Sequence, residues 1–457
     1  MGGAVVNGGM LEIDAEAGEE QLVERVAAID VAKASAVVCV RVGHASIAGR
    51  RVTRVWEVRS TTNAIIALAE QLAGERIERV VVESTSDYWR PFVYLLEARG
   101  LTVWLVNASQ VKQVPGRPKT DKLDAVWLAK LNERGMLRPS FVPPAEIRRL
   151  RDYTRLRVDL IADRTRQVQR LEKLLEDALI KLSTVASDIL GVSARAMLDA
   201  LIAGERDPEA LAELARGRMR GKRAALVEAL TGRFDDHHAE LAQMLLDEID
   251  ALTLKAETLT VRIDQLIAEI PAAHPPAPTA DPGGHPRDPG TRPLPVVARL
   301  DEITGIGPNA AHVIVAEVGL DMTQFPTPGH LVSWTKLCPR TIQSGPKSRS
   351  GKAGKGNPYL RRVLGEAAIA ASKTDTFLGE RYRRLVRRRG KLKALVAVAR
   401  SILVIVWHLL ADPSSRYRDL GADFYTNHID RQRKTRQLIR QLEALGHTVT
   451  LDTAIAA

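Results

Sequence analysis

The apolar positions of this chain change period along its length. Residues 26–42, VAAIDVAKASAVVCVRV, are rich in Val and read as a β-strand, and residues 51–58, RVTRVWEV, alternate and read as a second. The link from Gly43 to Gly49 is turn-like. Residues 62–73 switch to helical spacing, with Thr61 or Thr62 as N-cap. IERVVV at 77–82 is a short apolar strand that ends at Glu83. A helix follows from Trp89 to Arg99, closed by Gly100, and then LTVWLV at 101–106 forms a further strand. A loop holding Pro115, Gly116 and Pro118 leads into a helix from near Thr120. Antiparallel strands followed by alternating helix and strand predict a mixed α/β sheet over residues 26–143, behind a tail at 1–25.

Residues 144–270 lose their aromatics, and Leu, Ala, Arg and Glu dominate. Two stretches with apolar residues at three-to-four spacing predict two long helices, paired as an antiparallel coiled coil or arm, with a less regular helical piece at about 195–230 between them. Residues 271–295 are so rich in Pro, Gly, Asp and Thr that they predict a linker, with His274 and His285 solvated. Residues 296–411 read as a mainly helical basic domain, and 412–457 as a tail ending in an amphipathic helix. The fold class expected is therefore α/β plus all-α.

Composition sharpens this picture at a few points. The 457 residues carry a formal charge of +11, which favours a polyanionic partner such as nucleic acid. At 4% aromatic residues, stacking on bases is not a major binding mode. Cys39 and Cys338 lie far apart, which excludes a disulfide framework and a Cys-rich zinc site. The N-terminus lacks the pattern of a signal peptide. The apolar stretch Leu392 to Ala411 contains Arg400 and follows Lys391, so it is expected to be a core helix, not a membrane span. A cytoplasmic protein without a membrane partner is the expectation.

The candidate chemistry lies in two places. Asp30 interrupts an apolar strand, where a charge costs several kcal/mol unless it is paired or metal-bound. Glu83 ends a second strand, and Asp121 and Asp124 in PKTDKLDA are three residues apart on one helix face. Element order allows these four acids to meet. Such a cluster needs a cation, and hard ions such as Mg²⁺ (or Mn²⁺) prefer oxygen ligands and assist phosphoryl transfer. Taken singly, Asp121 also suits an early-helix position, Asp124 a pair with a neighbouring Lys, and Glu83 a turn cap.

The second place is C-terminal. TGIGPNAA offers Gly305 and Gly307 before a helix, an arrangement that binds phosphate and resembles a helix-hairpin-helix segment. Residues 337–362, LCPRTIQSGPKSRSGKAGKGNPYLRR, read as a long Gly-, Ser- and Lys-rich loop. Arg340, Lys347, Arg349, Lys352, Lys355, Arg361 and Arg362 there suit phosphates. Ser344, before Gly345, is a candidate nucleophile on a phosphodiester, with Ser348 and Ser350 as rivals by position. A loop that only binds DNA is the plainer alternative. ERYRRLVRRRGKLK at 380–393 is a further basic run, read as a nucleic-acid surface without a catalytic role.

The pieces AAIDVAK, VVVEST, VNASQVK, PKTDKLDA, TGIGPNAA and the SG–K–G–GN–YLRR stretch resemble, in order, the bacterial insertion-sequence transposases of the 110 type, the DEDD transposases. The resemblance implies an N-terminal domain like the RuvC Holliday-junction resolvase, of RNase H fold, and a C-terminal serine transposase domain. It implies Asp30, Glu83, Asp121 and Asp124 as the metal-binding DEDD acids and Ser344 as the nucleophile of a phosphoserine intermediate. It also implies double-stranded DNA at element ends and target, a structured guide (bridge) RNA, and assembly as dimers or tetramers. The alternatives are a metal-dependent RuvC-like junction nuclease and a non-catalytic nucleic-acid-binding scaffold.

Overall fold

The computed structural model describes residues 23–44, 46–47, 50–84, 86–107, 121–274, 294–427 and 431–450. Most of the N-terminal tail, the loop with Pro115, Gly116 and Pro118, and the Pro-rich stretch from 275 with His285 lie outside the described residues. The chain divides into two compact units, Met1–Val142 and Pro143–Ala457.

The first unit is built on a five-stranded sheet of order β3-β2-β1-β4-β5, made of β1 (Val26–Val31), β2 (Ser35–Gly43), β3 (Arg51–Arg59), β4 (Arg79–Ser84) and β5 (Val103–Asn107). β1, β2 and β3 are antiparallel neighbours, whereas β4 and β5 run parallel to β1. This is the RNase H arrangement. The run expected as one strand over 26–42 is two strands. Its turn at Ala32–Ala34 is closed by Ala32 N donating to Ser35 O at 2.9 Å. Ala-Lys-Ala carries no Gly, Pro, Asn or Asp to announce that turn, so hydrophobicity runs on across it.

β1 and β4 are buried on both faces, which is why they read as continuous apolar runs and not as alternation. On one face Ala27, Ile29, Val38, Val80 and Val82 pack against α1 (Thr62–Gly74) and α2 (Trp89–Glu97) through Ile65, Leu68, Leu72, Phe92 and Leu96. On the other face Ala28, Cys39, Val81 and Val106 pack against Ala125, Leu128 and Ala129 of α3 (Asp121–Glu133). Burial there pushes the Cys39 thiol up to about 11, leaving it an inert core side chain.

The second unit starts with two 33-residue helices, α4 (Ala145–Asp177) and α8 (Asp236–Ala268), each about 50 Å long. They are antiparallel: Arg164 donates to Thr253 at 2.7 Å, and two turns further back Arg157 donates to Thr260 at 3.3 Å. Between them α5 (Val192–Ile202), α6 (Pro208–Glu213) and α7 (Arg223–Leu230) close over the far ends of the pair, in a core of Leu171, Leu175, Leu198, Leu226, Leu230, Phe234 and Leu246. The irregular piece of the sequence is thus a packed helical tip.

The basic part comprises α9 (Val296–Asp301), α10 (Pro308–Val318), α11 (Pro328–Trp334), a hairpin of β6 (Pro339–Ser344) and β7 (Lys347–Ala353), α12 (Pro358–Ser372), α13 (Phe377–Arg389) and α14 (Lys391–Ala411). Among the described residues α14 alone is long and apolar enough to cross a membrane. It buries Val398, Ile402, Leu403 and Val406 against its neighbours, and Arg299 donates to Asp412 O at its C-terminal end, where a cation suits the helix dipole. The stretch 337–362, expected as one long loop, holds this hairpin and the first turns of α12. Both hairpin strands are polar, so no apolar alternation marks them.

Candidate active site

β1 and β4 are parallel neighbours with Ile29 opposite Val82. Asp30 and Glu83 each stand one residue beyond that pair, on strands about 4.8 Å apart. Side chains alternate along a strand, so both acids share the face of Ala28 and Val81, the face that α3 covers. Glu83 is buried at 6% exposure and Asp30 is half-buried.

The position of α3 is fixed at its other end. Buried Asn132 donates to Ala27 O and Arg79 O, each at 3.2 Å, at the start of β1 and β4. Arg79, over the Trp104 ring at 4.0 Å, donates back to Asn132 Oδ1 at 2.6 Å. Glu133 accepts from Arg41 at 2.7 Å and forms an ion pair with Arg51 at 3.1 Å. The helix therefore runs opposite to β1. Eight residues of helix from Asn132 to Asp124 span about 12 Å, and three residues of strand from Ala27 to Asp30 about 10 Å. Asp124, half-buried, thus comes level with Asp30 and Glu83. Asp121 opens α3 one turn earlier; its side chain lies outside the described residues.

This set fits a hard divalent cation. The donors are all carboxylate oxygens, the ligand type such ions prefer, on a face otherwise lined by Ala28, Val81 and Ala125. Among the described residues, the one group whose ligand atoms all lie within 4.8 Å of one another is Asp177, His237 and His238, and it suits such an ion less well. His238 Nδ1 accepts from Asp235 N at 3.1 Å, so the proton sits on Nε2 and faces Asp177 at 3.3 Å. That imidazole closes a capping box for α8.

Ser344 ends β6 and pairs with Lys347 across a two-residue turn, Gly345-Pro346. Gly345 has φ +56, which suits glycine. Ile342 pairs with Arg349, Gln343 with Ser348 and Thr341 with Ser350. Alternation then puts Ser344, Lys347 and Arg349 on one face of the hairpin and Ser348 on the other. The side chains of Ser350 and Lys352 lie outside the described residues. Arg340 and Lys355 are exposed near the hairpin base. Arg361 donates to Gly354 O at 2.8 Å, and Arg362 pairs with Glu366 at 3.0 Å, so these two cations already have partners.

The glycines of TGIGPNAA separate. A Cβ on Gly305, φ +92, would lie 2.3 Å from Ala367 O, so this glycine lets the turn press against α12. Gly307 is the N-cap of α10 with open space around it. The acids are in the first unit, and Ser344, Gly305 and Gly307 in the second.

Sequence reasoning missed Glu317, which is fully buried and bidentate to Arg155 at 2.7 and 2.8 Å, with Asn357 donating to it as well. Tyr359 lies 4.9 Å from the Arg155 guanidinium and donates to Asp159 at 3.0 Å. The Asn and Tyr of the GN–YLRR stretch thereby fix the start of α12 on α4 and α10. An acid inside the apolar run HVIVAEVG was the available signal, the same one that marks Asp30.

A transposase model of the DEDD, IS110 type matches residues 27–180, and the model of the transposase IS116/IS110/IS902 family matches residues 297–383. The chain belongs to the IS110-type transposases. An insertion element IS110 protein of 43.6 kDa, described as uncharacterized, from Streptomyces coelicolor is 34% identical over 121 residues, which is 26% of this chain and 29% of that relative. The chain thus matches under a third of that relative's length. Two solved structures are also similar: Thermus thermophilus RuvC, at 17% identity over 25% of this chain and 99% of that one, TM-score 0.21, and the same organism's RuvC in complex with a Holliday junction substrate, at 16% over 26% and 99%, TM-score 0.21.

Proposed function

We propose that this chain mobilises an insertion sequence by cleaving and rejoining double-stranded DNA, with a divalent metal held by Asp30, Glu83, Asp121 and Asp124 and with Ser344 as nucleophile. The observation that carries the reading is the placement of Asp30 and Glu83 side by side under the end of α3 that bears Asp124. When bound, Mg²⁺ or Mn²⁺ would supply positive charge to phosphate oxygens. The chain's own groups do the rest. Ser344 Oγ loses its proton and forms a phosphoserine ester, and the released strand end leaves as a hydroxyl that takes up a proton. Lys347 and Arg349, on the same hairpin face, hold the phosphate oxygens. Ser348, on the opposite face, is the weaker nucleophile candidate. Guidance by a structured RNA and assembly as dimers or tetramers follow from the family and belong to the same proposal.

The test is excision in cells. The gene is expressed with its natural flanking DNA, and the excised-circle junction is amplified. Wild type and Ser348→Ala are expected to give junctions, and Ser344→Ala and Glu83→Gln none. Junctions from Ser344→Ala would move the chemistry to water and the carboxylates, the junction-nuclease reading. Junctions from Glu83→Gln would remove the metal site.

A further inference from the structure

α13 carries Arg381, Arg383, Arg384, Arg387, Arg388 and Arg389 against a single acid, Glu380. Glu380 and Asp375 are both taken by Arg383. Arg384, Arg387 and Arg388 are exposed and have no ion pair among the described residues. Cations three and four residues apart on a helix repel, so this face is electrostatically unfavourable until an anion lies on it.

The chain after α14 folds back and builds a wall beside that face. The Asp419 carboxylate accepts Phe377 N at 3.2 Å, Tyr417 Oη at 3.0 Å and Gly421 N at 2.9 Å. This seats α15 (Phe424–Asn427), whose Tyr425 stacks on Phe377 at 5.4 Å. Arg381 donates to Tyr425 Oη at 2.9 Å, and its Nε is buried without a partner. Arg384 lies 4.4 Å from the Tyr425 ring centre. Arg381, Arg384, Leu385, Arg387, Arg388 and Tyr425, with Glu380 already held by Arg383, line an open cleft of about 340 Å³, enough for a sugar-phosphate unit. Most of this lining lies beyond residue 383, where the family match ends.

We infer that this cleft is a phosphodiester-backbone site, separate from the candidate active site, which tracks a nucleic-acid strand without reading its bases. The Tyr425 ring is engaged by Phe377 and Arg384, so it is not a stacking platform for a base, and guanidinium groups match phosphate oxygens. The inference rests on the reading of this chain as a nucleic-acid enzyme. It assigns to the segment after α14 the role of shaping the cleft.

The test uses the full chain and two probes, a short duplex DNA and a stem-loop RNA. Binding is followed by fluorescence anisotropy across a salt series for wild type, for the triple variant Arg384→Gln, Arg387→Gln, Arg388→Gln, and for the hairpin variant Lys347→Gln, Arg349→Gln. The three arginines are exposed, so an unchanged circular-dichroism melt is expected for the triple variant. Its affinity for at least one probe should fall about tenfold or more at 0.1 M salt, and its log–log salt slope should shrink by about 2 to 3, the equivalent of three lost phosphates. Loss on duplex alone identifies DNA as the strand held there, loss on RNA alone identifies RNA, and loss on both a shared track. If wild type and the hairpin variant differ while the triple variant matches wild type on both probes, the cleft is overturned and the nucleic-acid reading stands. If wild type binds neither probe, the nucleic-acid reading itself fails and takes the cleft with it.

Discussion

His312 shows how far a single buried group is set by its neighbours. It is 2% exposed, with Nδ1 3.2 Å from an Arg157 nitrogen and Nε2 3.0 Å from Asp264. Arg157 can only donate, so Nδ1 accepts and the proton sits on Nε2 toward Asp264. Burial first, and then the Arg157 charge, push the imidazole down from 6.5 to about 4, against the opposing pull of Asp264. Above pH 6.5 the group is neutral in both folded and unfolded chain and costs nothing. Between pH 6.5 and 4 the unfolded chain takes up a proton that the folded one refuses. Stability is therefore lost over that window, on the order of 2–3 kcal/mol. A His312→Gln variant lacks this step, so its stability deficit relative to wild type should narrow as pH falls from 7 to 4. Urea melts at several pH values read the difference directly, and parallel curves for the two proteins would refute the assignment.

At the level of elements, α3 matters because it carries two of the four acids on a helix placed from its far end. Asn132 satisfies two strand carbonyls and accepts from Arg79, all in a buried setting. Asn132→Ala leaves these groups unpaired, at about 1–3 kcal/mol. It also frees the helix to slide or rotate over Ala28 and Val81. The expected outcome is a lower denaturation midpoint for the first unit together with Mn²⁺ binding weakened about 10–100-fold under conditions where the variant is still folded. A variant that is less stable yet binds Mn²⁺ as wild type does would make Asn132 a core residue with no bearing on the site. The hairpin teaches the opposite lesson about legibility. Ser344, Lys347 and Arg349 stood out by residue type, but their common face rests on the register Ser344–Lys347 and Ile342–Arg349. In strands without an apolar face that register leaves no trace in the sequence.

For the whole molecule, the sequence was informative where burial imposes a period or a charge breaks one. The two-sided burial of β1 and β4 wrote continuous Val runs, and Asp30 and Glu83 were legible as breaks in them. Long helices with one apolar stripe were legible as a pair. Tertiary contacts made without a pattern were not: the Ala32–Ala34 turn, the packing of Gly305 on Ala367, the Glu317 ion pairs, and the folding back of Asp419 and Tyr425 onto α13. The division into two units also sets how the metal reading is best tested, since each unit reports on itself. In the first unit Asp30 and buried Glu83 stand on adjacent strands, and their carboxylate oxygens suit a divalent cation. A cation that binds only the folded unit adds stability, about 2.7 kcal/mol at a hundredfold excess over its dissociation constant. Hydrogen exchange with peptide resolution should therefore show Mg²⁺ slowing exchange in β1, β4 and α3 of wild type, while the helical tip around Leu198 and Leu226 stays unchanged. Glu83→Gln removes one charged ligand, so with metal it should gain nothing over its own metal-free state. Equal protection by Mg²⁺ in wild type and Glu83→Gln, or protection centred on the tip near Asp177 and His238, would take the metal away from the four acids.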